Sequence, residues 1–559
     1  MKSSLLALTA LLTLCGCTAL GPQYTERPAA DILDEAAVAQ TEAQDNLPRL
    51  NTRDALPAPE LTTWWNRFED PALNRLLAKA YAVNRTMAAA RANLAAARAA
   101  YEYQRGGLWP TVNAGGDLTR TRTSENGFSG ASPDRRYTDY NLAVSARWEI
   151  DFFGRVQHLT DAAEAEAQAT EADLKTLWVS VSGSLATYYL ELRTLQGRLM
   201  VAEDNLKLQQ ANYDLLANRN RAGITNDLQK NQAEYDLRNT AAAIPSLKAQ
   251  IVAAENAIAL LCGVTPGTLP PELLAQPALS IDPAAPTAGE VPQGTQNDNA
   301  KAAGLRPTGI PRAKRINLDA GIPADAIRRR PDVYAAERRL KAATSTLGAA
   351  EAEHYPIVYI SGSFGLDSLT LGDLFDWDSR FYNFGPGITL PIFRGGQIVA
   401  NVKIKTEQQK AALANYEQTV LSALADVRTA LAGVTQEYER LTQLRLGVQA
   451  AQAAYEIAAN KYNAGLGDFF DVLDAQRQLQ TLDEARVISE GTISRQQVAL
   501  YKALCGGWEG EAAAGENALF SAEPAAEPLL SAVEQAEVPG EAAEAAAEAP
   551  AETIEPTEE

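Results

Sequence analysis

The chain has 559 residues, 46% of them hydrophobic and 21% charged, with a formal net charge of -20. Fourteen acids lie between Glu509 and Glu559, with no lysine or arginine among them. The remainder therefore carries only about -6, with neither an anionic character to interpret nor the basic footprint of a nucleic-acid binder. Two histidines, four cysteines and three methionines, scattered along the chain, argue against a metal relay, and no catalytic constellation appears, so neither an enzyme nor a cofactor is expected.

Met1, Lys2 and the apolar run from Leu5 to Leu14 form a secretory signal, residues 1–16, ending in Leu14-Cys15-Gly16-Cys17. A small residue before a cysteine at that point resembles the bacterial lipobox, which makes Cys17 the lipidated first residue of an N-terminal extension, residues 17–63. Thr18, in place of an aspartate, suggests transfer to the outer membrane. The alternative is a plain signal with a chance cysteine. No later stretch reaches eighteen apolar residues, so any membrane crossing must be β.

A first repeat is expected over residues 64–263. Its hairpin, about 109–153, joins a strand from Thr111 to Thr119 to one from Tyr140 to Phe152. In the second strand Tyr140, Leu142, Val144, Ala146, Trp148, Ile150 and Phe152 alternate with polar residues. Aromatic residues crowd the strand ends, as interfacial girdles do; an ordinary sheet on a soluble core would also alternate. No proline interrupts Arg155 to Ala222, which fits one helix of about 100 Å at about 1.5 Å per residue. Leu174, Leu177, Val181, Ser184, Tyr188, Leu192, Leu195, Leu199 and Leu216 recur at coiled-coil spacing along it. Gly223 then ends the helix and reverses the chain.

A connector, residues 264–323, follows. It is rich in proline, glycine and alanine from Leu269 to Pro323 and should be loop. The second repeat, 324–508, restates the first. Its hairpin, about 355–393, carries Val358, Ile360, Phe364 and Leu366, then Tyr382, Phe384, Ile388, Leu390 and Ile392. Val420, Leu424, Val427, Leu431, Val434, Leu441 and Val448 line a second long helix, which Gly465 ends. Trp109-Pro110 answers Tyr355-Pro356 at a separation of 246, Gly223 answers Gly465 at 242, and Cys262 answers Cys505 at 243. Such spacing implies an internal duplication. Residues 509–559 form an acidic tail whose composition cannot bury enough apolar surface to fold.

The fold class is therefore mainly α with a transmembrane β part, two internal repeats and four strands per chain. Four strands cannot close a barrel alone. Two chains would give eight strands with a lumen filled by side chains, whereas three give twelve and an opening, so a homotrimer is expected. The order Trp64-Trp65, Phe68, Asp70-Pro71, Trp109-Pro110, Arg329-Arg330-Pro331-Asp332, Tyr355-Pro356, Phe393-Arg394-Gly395-Gly396, Gly465-Leu466 and Gly506-Gly507-Trp508 resembles the outer-membrane efflux proteins, the TolC-like channel-tunnels, and their lipoprotein subfamily in particular.

That resemblance implies a twelve-stranded barrel in outer-membrane lipid, continuous with a periplasmic helical barrel. It also implies two partners, a periplasmic adaptor protein and an inner-membrane efflux pump. The turns at Gly223 and Gly465 become the tips that meet the adaptor. Asp471 and Asp474 match the family's aperture aspartates and Tyr462 its gate-locking tyrosine, while Gly467 stands where the family carries a basic residue. The first-repeat counterparts of the aspartates are Gln229 and Gln232. On spacing alone the two aspartates equally suit a helix N-terminus.

The function expected is a passive exit duct for small molecules such as drugs. A non-conducting envelope lipoprotein, or a dedicated metal-ion or protein exporter, remains open. His158 and His354 are read as interfacial polar residues, a Cys262–Cys505 disulfide is left open, and Lys301, Arg306, Arg312, Lys314 and Arg315 make a basic connector suited to a loose contact with the tail.

Overall fold

The computed structural model describes residues 21–25, 63–123, 136–275, 308–313 and 329–506. The signal segment, Cys17, most of the connector, Trp508 and the acidic tail lie outside the described residues.

A 3-10 turn, Trp64–Phe68, leads into α1, Pro71–Val83. The first repeat then runs α2 (Arg85–Gly106), β1 (Thr111–Arg122), β2 (Arg136–Ile150), α3 (Arg155–Arg221) and α4 (Asp227–Leu261). A one-turn helix α5, Pro271–Leu274, stands in the connector where only loop is expected; Pro271 opens it and buried Leu273 holds it down. The second repeat is α6 (Pro331–Ala352), β3 (Ile357–Ser368), β4 (Arg380–Thr389), α7 (Gln397–Asn463) and α8 (Phe469–Ala503). Helix lengths of 22, 67 and 35 residues recur in the same order.

The boundaries differ from the alternation pattern at three strands. β1 continues to Arg122, and β2 begins at Arg136 and stops at Ile150, leaving Phe152 in a tight turn whose N–H returns to Ile150 O. β4 ends at Thr389, so Leu390 and Ile392 are not strand residues. Pro391 lacks the N–H that a further ladder bond needs.

The four strands form one antiparallel sheet in the order β1-β2-β3-β4. Its middle pairing, Val144 opposite Phe364 and Trp148 opposite Ile360, joins the two repeats. Below it α3 packs against α2, α4, α6 and α8, while α7 packs against α6 and α8. The seam of α7 is buried at Val420, Val427, Leu431, Val434, Leu441 and Val448. In α3 the pattern differs: Trp178, Leu185, Ala186, Tyr189 and Leu190 are buried alongside Leu174, Val181, Leu192 and Leu195, whereas Tyr188 is exposed. Neighbours surround the middle of α3 on several sides, so a single seam does not describe it.

Corresponding elements are 246 residues apart from α2 through β1, and 242 apart from α3 to the end of α8. The first hairpin is thus four residues longer. As a result Cys262 and Cys505, 243 apart, are not equivalent. Cys262 is the C-cap of α4, while α8 is capped by Leu504, and Cys505 holds the next position at φ 48, where the first repeat has Gly263 at φ 63. Both cysteines are buried and free. Burial pushes the Cys262 thiol up to about 11 and that of Cys505 to about 12, so both are poor thiolates.

Each return helix is sealed by the residue that opens its repeat. Asn84, the N-cap of α2, donates from Nδ2 to Leu261 O at 2.7 Å; Arg330, before α6, donates from Nη1 to Ala503 O at 2.7 Å. These are the last residues of α4 and α8. Two different side chains thus close equivalent helix ends. The Trp64 ring stacks on Tyr501 at 5.4 Å, and Asp70 both caps α1 and accepts the Tyr189 hydroxyl at 2.6 Å.

Across the middle of the helices, connector residues 308–313 are strapped to α8. Glu490 is 3% exposed and binds Arg312 at 2.7 Å, Arg486 at 3.2 Å, Arg445 at 3.4 Å and the Thr308 hydroxyl at 2.6 Å. Arg312 is thus engaged inside, which corrects its assignment to a basic surface for the tail. The other four basic residues of that assignment lie outside the described residues. Burial opposes ionisation of Glu490, but Arg312 and Arg486 outweigh it and hold the carboxyl below the usual range. A depressed carboxyl contributes stability above its unfolded value and loses it as the pH falls through its folded value. Glu490→Gln is expected to destabilise the protein by about 3 kcal/mol at neutral pH by removing the carboxylate that Arg312, Arg445 and Arg486 share, of which Arg486 keeps a second partner in Asp483. In thermal melts the gap between wild type and variant should be full above pH 4.5 and narrow below it; a gap independent of pH would refute this account.

Candidate functional site

Two places carry candidate function, the sheet and the helix turns at the far end. Across the ladders Val112, Ala146, Gly362 and Phe384 stand in one row, so even-numbered residues of all four strands share a face. Val112, Leu118, Leu142, Val144, Trp148, Phe364, Tyr382, Phe384 and Ile388 all lie on it, and all are exposed, Tyr382 and Phe384 by 79% and 78%. The odd face carries Asn113, Asp117, Thr119, Ser145, Arg147, Ser361, Ser363 and Asn383. An apolar face left open in this way is unlike a sheet seated on a soluble core. The strands have 12, 15, 12 and 10 residues, which meets the about 9–11 that a tilted strand needs to cross a bilayer.

On the odd face two aromatic rings lie over glycines. A Cβ at Gly365 would come within 2.8 Å of the Phe381 ring, and one at Gly387 within 2.4 Å of Tyr359. The outer edges of β1 and β4 have no strand partner among the described residues.

At the opposite end, α3 and α7 close with matching turns. Gly223 and Gly465 sit at φ 71 and 72, and the N–H groups of Ile224 and Leu466 reach back to Arg219 O and Lys461 O at 2.9 and 2.8 Å. Ile224 and Leu466 are 71% and 81% exposed. Asn226 and Asp468 cap the return helices α4 and α8, accepting from Gln229 N and Phe470 N. Gln229 also donates to Asp468 at 2.9 Å, which ties one tip to the other.

Asp471 and Asp474 lie on the first turns of α8, exposed, and neither accepts a hydrogen bond among the described residues. The N-capping bond belongs to Asp468. Gln232 is half-buried on α4 and takes no part in the Gln229 link. Tyr462 is half-buried against Phe469, ring to ring at 4.9 Å, and its hydroxyl accepts from Arg219, whose guanidinium lies 5.2 Å over its ring. The cation facing Tyr462 thus comes from the first repeat.

Behind the tips runs a ladder of polar links that the sequence pattern does not announce. Asp236 of α4 pairs with Arg477 of α8 at 3.0 Å, Asn212 of α3 with Gln476 at 2.9 Å, and Gln480 bridges Gln209 and Thr240. The hydrogen bond that Arg477 donates to Asp236 raises the Arg477 pKa above its ordinary value. A faint signal exists: Asp236 follows Gln232 by one turn, and Arg477 follows Asp474 by three residues, so each extends a face already singled out.

His158 is buried on α3 beneath Gly348, where a Cβ would lie 2.8 Å from its ring; it fills a helix crossing. His354 follows α6 and donates its N–H to Glu351 O. Among the described residues no group of three or more potential metal ligands gathers.

Comparison with known proteins adds four findings. The family model described as "Outer membrane efflux protein" matches residues 76–264 and 322–506. The probable efflux pump outer membrane protein TtgC of Pseudomonas putida is 31% identical over 513 residues, covering 91% of this chain and 96% of that protein. The probable outer membrane lipoprotein SilC of Salmonella typhimurium is 28% identical over 509 residues, 91% of this chain and 99% of its own length. Among solved structures, the outer-membrane channel OprN superposes with a TM-score of 0.72 at 30% identity, over 88% of this chain and 99% of its own. The bare apolar sheet and the paired helix turns are therefore those of a known lineage, and this chain belongs to the outer membrane efflux protein family.

Proposed function

We propose that the protein is the passive exit duct of a tripartite efflux system, a homotrimer whose pooled strands form a twelve-stranded barrel in the outer membrane. The observation that carries this reading is the sheet: one face apolar and open, the other polar, and both edges without a strand partner among the described residues. Such a sheet is stable in lipid only when closed, and three copies close it around an opening. The long helices then line a periplasmic tunnel, with the Gly223 and Gly465 turns at its mouth presenting Ile224 and Leu466 to an adaptor protein.

The duct performs no chemistry of its own. An inner-membrane pump supplies the energy and selects the cargo, small molecules such as drugs or solvents; relatives are named for efflux pumps that carry antibiotic, toluene and solvent. Threefold symmetry turns Asp471 and Asp474 into two rings of carboxylates at the mouth, free of capping bonds and available to hold cations. The Arg219–Tyr462 and Asp236–Arg477 links tie the two helix pairs of one subunit together and favour the narrow state. Cys17 serves as a lipid anchor; the relative SilC is named a probable outer membrane lipoprotein.

Three outcomes are expected. Replacing both Asp471 and Asp474 with alanine should raise single-channel conductance in planar bilayers, lower cation preference and abolish block by multivalent cations from the periplasmic side; the same change at Gln229 and Gln232 should affect selectivity less, since no charge is lost. A double mutant that conducts as wild type does would place the aspartates away from the pore. Tyr462→Phe removes the acceptor for Arg219 and should increase the open fraction, with trimer stability within about 1 kcal/mol of wild type. Cys17→Ser should abolish lipid attachment while much of the protein still fractionates with the outer membrane, because the barrel buries far more apolar surface than one lipid. Wholly soluble Cys17→Ser protein would contradict the barrel.

A further inference from the structure

The charges of the sheet are sorted by face. Its four acids, Asp117, Asp139, Glu149 and Asp367, are all odd-numbered and lie on the polar face. Of its five basic residues, all arginine, only Arg147 joins them. Arg120, Arg122, Arg136 and Arg380 are on the apolar face, all exposed, and all at the end of the strands remote from the helices. At the opposite end of the strands the exposed residues include Trp109 and Trp148. The apolar face thus carries its arginines only at the end away from the helices, while Trp148 stands at the end toward them.

Three of these guanidiniums, those of Arg120, Arg136 and Arg380, are poorly matched among the described residues, while Arg122 has a partner of its own. Arg120 and Arg136 have no ion-pair partner among the described residues. Arg380 lies 4.3 Å over the Trp377 ring and donates to Trp377 O at 2.6 Å, forming no ion pair with nearby Asp376 or Asp378. The sheet itself separates the arginines from the acids on its far side. A solvated rim would be served by lysine or by either sign of charge, but no lysine occurs in any strand. Arginine's planar fork suits bidentate contact with phosphate oxygens.

Resting on the barrel reading above, we propose that Arg120, Arg122, Arg136 and Arg380 form a belt that binds the phosphates of outer-leaflet glycolipid, whose acyl chains lie along the apolar residues next to it. In the closed trimer β1 of one protomer meets β4 of the next, which brings Arg380 toward Arg120 and Arg122 across the boundary. The lipid then acts at the seam between protomers. Near an interface an arginine costs about 0–1 kcal/mol on the lipid face, so charge-assisted bonds to phosphate leave a net gain.

The test uses purified full-length trimer and lipid A, in its bis-phosphorylated form and after enzymatic removal of both phosphates. Wild type should retain the phosphorylated lipid at least about tenfold more strongly than the dephosphorylated one, about 1.4 kcal/mol. The fourfold change Arg120→Gln, Arg122→Gln, Arg136→Gln and Arg380→Gln should erase that preference while single-channel conductance persists. Excess inorganic phosphate should not displace the lipid; displacement would mark a free-anion site and overturn the proposal. A conducting wild type that binds both lipids equally would overturn the belt alone, even if the fourfold variant fails to fold. A wild type that forms no conducting trimer would overturn the duct and the belt together.

Discussion

Unpaired backbone groups cannot remain in hydrocarbon, and that constraint governs this molecule. Among the described residues β1 and β4 each present an edge of unmet N–H and C=O groups, flanked by an apolar face that water does not suit. The cost is removed only by other copies of the same sheet. Each chain is therefore an arc of a larger object, and the duplication supplies that arc: pairing β2 with β3 welds the two hairpins into one four-stranded piece, with its long helices descending from one end.

Duplication also explains how different chemistries share one scaffold. Asn84 and Arg330 close the return helices of their repeats, one by a neutral amide and the other by a guanidinium that also binds Asp332 in two-pronged fashion. Gly263 and Cys505 hold the same left-handed position, at ease in glycine and strained in cysteine. At the tips Gln229 answers Asp471, so the two repeats place neutral and charged groups on otherwise matching helices. Backbone geometry was kept while side chains diverged.

Much of the fold is legible in the amino-acid sequence alone. Alternation in β2 and the proline-free stretches of α3 and α7 follow from local periodicity, which the chain states directly. Strand ends are harder to read, because Pro391 stops a ladder that the apolar residues on either side of it would otherwise extend. Long-range polar pairing leaves no periodic trace. Asp236–Arg477, Gln229–Asp468 and Arg219–Tyr462 join residues about 240 positions apart, and a solvated charge on a helix reads the same as a paired one until the helices are brought together. The proposed roles of Asp471, Asp474 and Tyr462 rest on family likeness; the cation facing Tyr462 could not be found that way, since Arg219 supplies it from another helix.

Equal helix lengths have a further consequence. Because α3 and α7 both span 67 residues and α4 and α8 both span 35, the two turns end level, and the four extra residues of the first hairpin are confined to the membrane end. A single residue added to one long helix would rotate everything below it by about 100° and lower one turn by about 1.5 Å. The neighbouring helices would lose register with it. Inherited changes of rod length must therefore arrive in all four helices at once and in multiples near seven, so natural variation in this lineage should collect in loops while the reach of the rod stays quantised.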